Sequence, residues 1–259
     1  MGTDNESSVA LLERIQSAAR LTAHCRRMVV STGAGISQES GIPTFRDEDG
    51  LWMKYRPEEL ATREGFLSNP RLAWKWYRER LAAARQKKPN AGHFALSAIE
   101  TLVPSFLLVT QNIDNLHRRA GTRELVELHG NIERYRCFDY AHPAREDPSW
   151  GDEPPRCLCG SLVRPDVVWY GEPLPQAELE CAFRESQKCD LFLVVGTSGV
   201  VQPVVLLPAI AKQSGAKVIE VNTTTSETTP IADVFLEGKA GEILPILVGE
   251  IKNVLGGKR

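Results

Sequence analysis

Apolar residues along the chain form short runs that are separated by stretches with helical spacing. The runs are typical of buried strands and cover residues 28–31, 106–110, 125–128, 190–195 and 217–222. Between them, apolar positions repeat every three or four residues, which predicts helices over residues 7–24, 57–88, 90–102 and 242–254. Strands that alternate with helices predict an α/β fold, in which helices cover both faces of a parallel sheet.

Residues 137–163 depart from this pattern. They combine Cys, Pro, Asp, Trp and Gly with little periodicity, so we expect a small irregular unit that needs an additional link to hold it together. A chain of 259 residues accommodates one large α/β domain with such an insertion, or two small domains.

Composition and charge limit the partners that we expect. Hydrophobic residues at 42% and charged residues at 25% are ordinary for a globular protein, and a net charge of -2 gives no bulk attraction to nucleic acid or to a membrane. Residues 1–16 lack the features of a secretory signal or a transit peptide, and no apolar run reaches the length of a membrane span. We therefore expect a cytoplasmic monomer with reduced cysteines, among which Cys25, Cys181 and Cys189 are buried.

Polar or Gly-rich segments follow the predicted strands at residues 33–37, 111–114, 196–198 and Asn222. Because the carboxyl ends of parallel strands meet at one edge of a sheet, we expect these segments to form one ligand site. The glycines of residues 33–37 would let the backbone approach an anion, and a following helix would offer N–H groups to a phosphate. Gln38 stands where the dinucleotide-binding fingerprint has its third glycine, so a plain strand-to-helix turn is an equal alternative.

Longer motifs decide between these interpretations. The sequence reads GAGIS at residues 33–37, ESGIPTFR at 39–46, GLW at 50–52, TQNIDNLH at 110–117, ELHGN at 127–131, RPDVVWYGE at 164–172 and GTS at 196–198. In this order, over residues 28–245, the motifs resemble the sirtuin family. The resemblance implies a Rossmann-like NAD-binding domain formed by residues 1–48, 91–130 and 170–259. It also implies a smaller inserted domain, with a helical part at residues 49–90 and a zinc-ribbon-like part at residues 131–169.

The resemblance implies an activity as well. Sirtuins use NAD as a co-substrate to remove acyl groups from lysine side chains of proteins or peptides, and they release nicotinamide and O-acyl-ADP-ribose. In that reaction, the acyl oxygen attacks C1′ of the nicotinamide ribose. On the motif positions of this chain, His129 becomes the catalytic base, and Asn112 and Asp114 become polar catalytic residues near the nicotinamide ribose. A neutral imidazole can take a proton from a ribose hydroxyl near pH 7, although an isolated loop histidine is more often structural.

The same resemblance assigns the residues that contact NAD. Phe45 and Arg46 belong to a loop over the cofactor, in which Phe45 would shield the reactive ribose from water. A turn rich in Asn and Asp is the alternative interpretation of residues 111–114. The expected cofactor-binding residues are Gly33, Ala34, Gly35, Ile36, Ser37, Thr44, Phe45, Arg46, Trp52, Gln111, Asn112, Ile113, Asp114, Gly196, Thr197, Ser198, Asn222 and Ala240.

Tyr77 and Arg80 resemble the Tyr-x-x-Arg motif of the sirtuins that remove succinyl, malonyl and glutaryl groups. At a spacing of three residues on a helix, both can face one pocket, where the guanidinium would hold an acyl carboxylate with two bonds. Ala61 matches the small residue that leaves room for a longer acyl chain, and we expect some deacetylase activity to persist. The alternative is an exposed helical arginine, and Arg78 is the competing candidate for the carboxylate partner.

The motif at residues 164–172 resembles the edge against which the substrate peptide pairs as an added strand. This binding mode uses the main chain of the peptide and therefore tolerates many substrate sequences. The expected peptide-binding residues are Val167, Val168, Trp169, Tyr170, Gly171 and Glu172.

The cysteines of the irregular unit raise the question of a metal. Sirtuins usually hold a structural zinc ion with two cysteine pairs. Here Cys157 and Cys159 supply one pair, whereas Cys137 lacks a partner because Tyr140 occupies the expected position. His142 could complete a tetrahedral set with the three cysteines. The alternative is that zinc is absent and that the unit packs through its aromatic residues and prolines; in either case its role would be structural.

Two other functions remain open at this point. The same scaffold could act as an NAD-dependent mono-ADP-ribosyltransferase, and nicotinamide release that requires an acyl-lysine peptide would separate the two activities. The chain could also be a non-catalytic NAD-binding protein, which loss of activity with retained NAD binding in a His129 variant would exclude. Tyr77, Arg80 and the peptide-binding motif favour deacylation.

Overall fold

The computed structural model describes residues 3–42 and 60–257 and, in the first helix, the side chains from Val9 onward. The strands are β1 Met28–Thr32, β2 Phe106–Thr110, β3 Leu125–Glu127, β4 Gly130–Cys137, β5 Pro143–Ala144, β6 Val163–Val167, β7 Leu191–Val195, β8 Lys217–Asn222 and β9 Val234–Glu237. The helices are α1 Thr3–His24, α2 Gly35–Gln38, α3 Arg63–Ser68, α4 Pro70–Gln86, α5 Ala91–Glu100, α6 Leu116–Arg119, α7 Gln176–Lys188, α8 Leu206–Gln213 and α9 Ala240–Gly256.

The larger sheet has six parallel strands in the order β3-β2-β1-β7-β8-β9. Strand β1 lies at its centre and pairs with β2 on one side and with β7 on the other. The strand order therefore reverses between β1 and β7, which is the switch point at which sheets of this kind bind ligands. The predicted Rossmann-like α/β fold is confirmed, and β9 is a strand that the apolar pattern did not single out.

Helices cover both faces of this sheet, as the alternating pattern predicts. On one face, Ile15 of α1, Leu96 of α5 and Leu244 of α9 share a buried cluster with the inward side chains of the strands. On the other face, Ala182 of α7 and Leu207 of α8 pack against the opposite side of the same strands. The central strands β1 and β7 are buried on both faces, which explains why they appear in the sequence as continuous apolar runs.

A second, antiparallel sheet has the order β5-β4-β6, and it was not predicted. Helices α3 and α4 pack on this sheet through an aromatic core, in which Trp74 lies 5.6 Å from Tyr135 and Phe66 lies 5.1 Å from Trp169 between ring centroids. Residues 137–163 thus form part of a packed unit that shares its core with distant helices.

Side-chain caps explain where several helices begin. The side chain of Asn90 accepts hydrogen bonds from the backbone of Gly92 and His93, and the His93 side chain accepts one from the Asn90 backbone in return. Asn69 caps α4 in the same way, with Pro70 at the first helical position. Such caps satisfy N–H groups that have no partner within the helix. The predicted helix over residues 90–102 is confirmed as α5.

One cysteine differs from its predicted environment. Cys25 and Cys189 are buried as expected, but Cys181 is partly exposed on α7. The expectation that Cys181 is buried was wrong, because its position on α7 turns it toward solvent and toward Arg184, whose guanidinium lies 3.5 Å from the sulfur. Within residues 3–42 and 60–257, no helix combines the length and the apolar character needed to cross a bilayer.

Candidate functional site

The loops after the central strands begin at one level along the edge of the large sheet. Each starts by extending the ladder of a neighbouring strand, because Gly33 N–H donates to Val195 at 3.1 Å and Gln111 N–H donates to Thr32 at 3.0 Å. Leu128 N–H continues the series by donating to Thr110 at 3.0 Å. The segments that were expected to converge therefore do so, at the switch point of the sheet.

Two of these loops touch through their backbones. Gly35 N–H donates to the carbonyl oxygen of Gly196 at 2.8 Å. A Cβ atom on Gly35 would lie 2.8 Å from the Cα of Gly196, which is closer than real Cβ contacts allow. Because the two loops approach so closely, residue 35 must be glycine. The same approach narrows the crevice between β1 and β7.

Backbone N–H groups at this edge remain available to an anion. The N–H groups of residues 35–37 donate to carbonyl oxygens within the two loops, so the short helix α2 does not provide the phosphate donors that the sequence suggested. In the described parts of the two loops after β1 and β7, the N–H groups of Ala34, Thr197 and Ser198 have no acceptor. These three donors, from two loops, fit the negatively charged diphosphate of a dinucleotide.

A cleft of about 290 Å³ lies beside these donors. This volume is near the lower end of the range for small-molecule sites. Its lining residues come from the ends of β1, β7, β8 and β9 and from the start of α9: Gly35, Gln38, Glu39, Gly196, Val221, Asn222, Thr223, Gly238, Lys239 and Ala240. The predicted cofactor residues Gly35, Gly196, Asn222 and Ala240 therefore meet in one cleft.

His129 follows β3 and is partly buried. Its Nδ1 atom lies 2.9 Å from the carbonyl oxygen of Gln111, which can only accept a hydrogen bond. Nδ1 is therefore the protonated nitrogen, and Nε2 carries the free lone pair that a base needs. Burial lowers the pKa of His129 from its ordinary value of 6.5, although the bond to Gln111 opposes this shift.

Gly130 fixes the backbone next to this histidine. Its φ angle is 77°, and a Cβ atom at this position would collide with the carbonyl oxygen of Asp166 on β6. Only glycine combines this left-handed conformation with such a close neighbour. The turn from β3 into β4 is thereby held, and with it the direction of the His129 side chain.

Asn112, Asp114 and Ser37 form a polar cluster behind the crevice, in which Ser37 and Asp114 are buried and Asn112 is partly buried. The Asn112 amide donates to the carbonyl oxygen of Gly33 at 2.9 Å and to Ser37 Oγ at 3.2 Å. Ser37 Oγ donates to Asp114 at 2.6 Å, and the backbone N–H of Leu116 donates to the same carboxyl group at 2.9 Å. Burial raises the pKa of Asp114, while these hydrogen bonds oppose the shift. The cluster leaves the Asn112 side-chain oxygen without a donor among the described residues.

Sequence reasoning did not assign a role to two histidines beneath this cluster. The rings of His93 and His117 lie 4.9 Å apart, and both are buried. His93 Nε2 is 3.5 Å from Ser37 Oγ, and His117 Nε2 is 2.9 Å from Thr32 Oγ1. Burial lowers the pKa of His93 to about 4 and that of His117 well below its ordinary value. Both imidazoles are therefore neutral in the folded protein at pH 7.

The predicted cofactor residues Ile36 and Ile113 pack into the two hydrophobic cores. Ile36 is fully buried in the large core, so its side chain supports the Gly-rich turn from behind. Ile113 packs against the core of the small sheet, and its carbonyl oxygen accepts a hydrogen bond from Ile132. Some predicted cofactor residues lie outside the described residues: Thr44, Phe45, Arg46 and Trp52.

The predicted acyl-pocket residues come together where α4 meets the segment after β6. The Tyr77 ring stacks on that of Trp169 with 6.2 Å between centroids, and the Tyr170 N–H donates to the carbonyl oxygen of Ala61 at 2.9 Å. The Arg80 guanidinium lies 5.8 Å from the Tyr77 ring. Burial raises the pKa of Tyr77 to about 12, so its hydroxyl stays protonated near neutral pH.

Arg80 differs from Arg78 in its partners. The Arg80 guanidinium lies 4.5 Å from the centroid of the Trp76 ring, and among the described residues it has no carboxylate partner. Arg78 instead pairs with Glu146 at 3.3 Å. Burial lowers the pKa of Arg80, yet a guanidinium keeps its charge at neutral pH. Within residues 3–42 and 60–257, Arg80 is thus a partly buried cation with no carboxylate partner.

The segment from Val167 to Glu172 leaves β6 and forms a turn, with Gly171 at a φ angle of 81°. Its backbone N–H groups are largely occupied, because Val168 donates to His129 and Trp169 donates to Glu172, both at 2.9 Å. Within this turn, Gly171 has an N–H group with no acceptor among the described residues. Peptide pairing on this segment stays a prediction.

A buried ion pair, which the sequence analysis did not identify, holds this turn. Arg164 is 1% exposed, donates to the carboxylate of Glu172 and to the carbonyl oxygen of Val167, and lies over the Trp169 ring. Arg136 adds a second guanidinium 3.4 Å from Glu172. Since both ends of the turn are tied to one guanidinium, the ring of Trp169 is fixed against Tyr77.

The candidate metal ligands converge at the far end of the small sheet. The ligand atoms of Cys137, His142, Cys157 and Cys159 all lie within 4.8 Å of one another. His142 Nδ1 lies 3.9 Å from the Cys157 sulfur, and its ring stacks on Tyr140. Three thiols and one imidazole suit a closed tetrahedral zinc site, so these residues fit the ion.

Comparisons with known proteins agree with this geometry. Residues 33–203 match the Sir2 family. The NAD-dependent protein deacylase of Pyrococcus abyssi is 51% identical over 248 residues, which cover 93% of this chain and 99% of that protein. A solved complex of a Sir2 homologue with NAD has 43% identity and a TM-score of 0.86, covering 92% of this chain and 94% of that one. A Sir2 structure with a myristoylated histone peptide has 39% identity and a TM-score of 0.76, covering 95% and 99% of the two chains. The chain therefore belongs to the Sir2 family.

Proposed function

We propose that this protein is an NAD-dependent protein-lysine deacylase that prefers acyl groups with a terminal carboxylate, such as succinyl. The observation that carries the acyl preference is the guanidinium of Arg80, which faces the acyl-pocket rings with no carboxylate partner among the described residues. A partly buried cation without an anion is costly, and an acidic acyl group would remove that cost.

The sheet edge provides the contacts for NAD. The N–H groups of Ala34, Thr197 and Ser198 bind the diphosphate, and the cleft beside Asn222 and Ala240 holds the adenosine half. When bound there, NAD supplies an electrophilic ribose carbon and a nicotinamide leaving group. The free N–H groups and the cleft support this placement, since both lie at the switch point of the sheet.

His129 acts as the base. Its Nδ1–H group is held by Gln111, so Nε2 accepts the proton of a ribose hydroxyl. Asn112 and Asp114 orient the reacting groups from the other side of the crevice, where Ser37 links their side chains. The low dielectric of this partly buried site strengthens each of these interactions.

Tyr77 and Arg80 bind the end of the acyl chain, with Ala61 leaving room for it and Trp169 forming a wall. The main chain of the acyl-lysine peptide pairs with Gly171. A guanidinium gives a carboxylate two parallel hydrogen bonds, and the protonated hydroxyl of Tyr77 can donate a third.

The remaining parts of the chain support this site. Residues 1–48, 91–130 and 170–259 form the NAD-binding domain, while residues 49–90 and 131–169 form the smaller one. Zinc held by the cluster of three cysteines and His142 stabilises the smaller domain and takes no part in the chemistry.

A matched set of acyl peptides tests the acyl preference. With NAD present, the wild type should turn over succinyl-lysine peptide faster than the acetyl peptide. Arg80→Met should reduce kcat/KM for the succinyl peptide by roughly tenfold to a hundredfold, the effect of losing hydrogen bonds to a charged group. Its kcat/KM for the acetyl peptide should change little, since that group has no carboxylate.

Arg78→Met on the same helix is the matched control, because Arg78 is already paired with Glu146. It should leave both activities close to wild type. Succinyl turnover that survives undiminished in Arg80→Met would exclude the acyl-pocket assignment. Nicotinamide release that does not depend on an acyl peptide would instead point to ADP-ribosyl transfer or NAD hydrolysis.

A further inference from the structure

Glu220 is a buried acidic residue in β8, two positions before Asn222. It is 0% exposed, and no ion pair of the described residues includes it. Its carboxyl group accepts hydrogen bonds from Ser226 Oγ at 2.5 Å and from Thr229 Oγ1 at 2.6 Å. A buried carboxyl group is costly unless it is hydrogen-bonded. Packing of the apolar core does not require an acidic residue at this position, so its two hydrogen bonds point to another role.

The two hydroxyl groups belong to one loop and already organise it. Ser226 N–H donates to Thr229 Oγ1 at 2.8 Å, and Thr228 N–H donates to Ser226 Oγ at 3.0 Å. Glu220 therefore fastens a pre-formed turn to the sheet with two bonds. The turn lies directly after Thr223, which lines the cleft.

This loop also packs against the loop that follows β7. A Cβ atom on Gly199 would lie 3.2 Å from the Cβ of Glu227, and Glu227 N–H lies 3.5 Å from the carbonyl oxygen of Ser198. Movement of the Ser226 turn would therefore shift the loop after β7, which carries the N–H groups of Thr197 and Ser198.

Glu220 contacts the cleft residue Asn222 as well. The Asn222 amide donates to the carbonyl oxygen of Thr197 at 2.9 Å and lies 3.5 Å from Glu220. Its oxygen accepts from Thr223 N–H at 3.0 Å. The side chain is therefore held between a strand carboxyl group and the neighbouring loop.

We infer that Glu220 is a positioning residue for the cofactor cleft, which holds Asn222 and the 223–229 loop against the 196–199 loop without touching the cofactor itself. The inference rests on the proposed placement of NAD in this cleft. It predicts that loss of the carboxyl group weakens NAD binding and leaves acyl-peptide binding intact, since Tyr77 packs in the core of the small sheet whereas Glu220 lies in the large sheet.

Substitutions from both sides of the contact provide the test. Glu220→Met keeps the length and removes the acceptors, whereas Ser226→Ala with Thr229→Val removes the donors and keeps the acid. Both should raise Kd and KM for NAD by about tenfold, the effect of one to two net hydrogen bonds. KM for the acyl peptide should stay close to wild type, whereas Tm should fall in the double variant, because the buried carboxyl group loses both donors. Glu220→Gln should recover most NAD affinity, because an amide can bond both hydroxyl groups.

Thr225→Ala is the matched control, since Thr225 is exposed in the same loop. Unchanged NAD affinity in the loop double variant would overturn the inference even if Glu220→Met failed to fold. Equal increases in KM for NAD and for peptide would also overturn it. Asn222→Ala distinguishes failure of the proposed NAD placement from failure of the proposed role of Glu220. If this variant binds NAD like wild type, the placement of NAD is wrong. If Asn222→Ala weakens NAD binding and the Glu220 variants do not, only the role of Glu220 is lost.

Discussion

The Nδ1 atom of His129 donates its proton to the carbonyl oxygen of Gln111 across 2.9 Å. This contact ties the proposed base to the loop that carries Asn112 and Asp114. Because a carbonyl oxygen cannot donate, the tautomer of the imidazole is fixed by the backbone of the loop after β2. The free Nε2 atom is thereby available without any change in the structure.

The pH dependence of the reaction should reflect this histidine. Burial lowers the pKa of His129 below 6.5, so its neutral form predominates at pH 7 and the rate should fall only as the pH drops below 6.5. Measurement of kcat/KM from about pH 5 to pH 8 should show this acid limb. His129→Ala should abolish deacylation and still bind NAD, and an acid limb centred above pH 7 would contradict the assignment.

Stability should depend on pH through the buried histidine pair. The pKa of His93 is about 4 when folded and near 6.5 when unfolded, so the unfolded chain binds more protons between these values. The free energy of unfolding should therefore fall as the pH falls, by about 3 kcal/mol from pH 6.5 to pH 4 for His93 alone. Denaturant titrations at several pH values should show a smaller fall in His93→Gln. Parallel curves for the two proteins would refute the prediction.

The contact between Gly35 and Gly196 should be intolerant of a side chain. Gly35→Ala places a methyl group 2.8 Å from the neighbouring backbone, so the two loops must separate at a cost of about 1–3 kcal/mol in unfolding free energy. NAD affinity should fall as well, because the crevice changes shape. Gly151→Ala is the control, since nothing lies within 4 Å of the added group. Equal Tm and equal NAD affinity in the two variants would argue against a required close approach.

The zinc content of the protein should depend on His142, the fourth ligand of the cluster with Cys137, Cys157 and Cys159. Wild-type protein purified with zinc should contain about one ion per chain, held by three thiolates and the His142 imidazole. His142→Ala should weaken zinc binding by at least the roughly tenfold that loss of an outer partner costs, as measured by competition with a chelator. His142→Cys should retain the ion, since it restores a set of four thiolates. A wild-type protein without zinc would favour packing of this unit through Tyr140 and its neighbours.

Local patterns were sufficient for most of the large sheet. The run from Phe106 to Thr110 became β2 with the same limits, and the run from Lys217 to Asn222 became β8. These strands are buried on both faces, so their apolar character is visible without knowledge of their neighbours. The strands of the antiparallel sheet were not predicted because β4 and β6 carry polar residues such as Arg134, Arg136 and Arg164 in place of an apolar run, and they pack against distant aromatic residues such as Trp74.

The sequence by itself determined the family, the positions of the loops that follow the central strands, and the residue types of the expected site. Motifs and short periodicities are properties of neighbouring positions, so they can be recognised without the structure. Only the tertiary structure decided which side chains meet. It placed Arg80 beside the Trp76 ring with no carboxylate partner in the part of the chain that the structure describes, paired Arg164 with Glu172 and brought His142 to three cysteines. Such contacts join segments that are far apart in the chain, and they depend on the packing of two sheets, which no local pattern records.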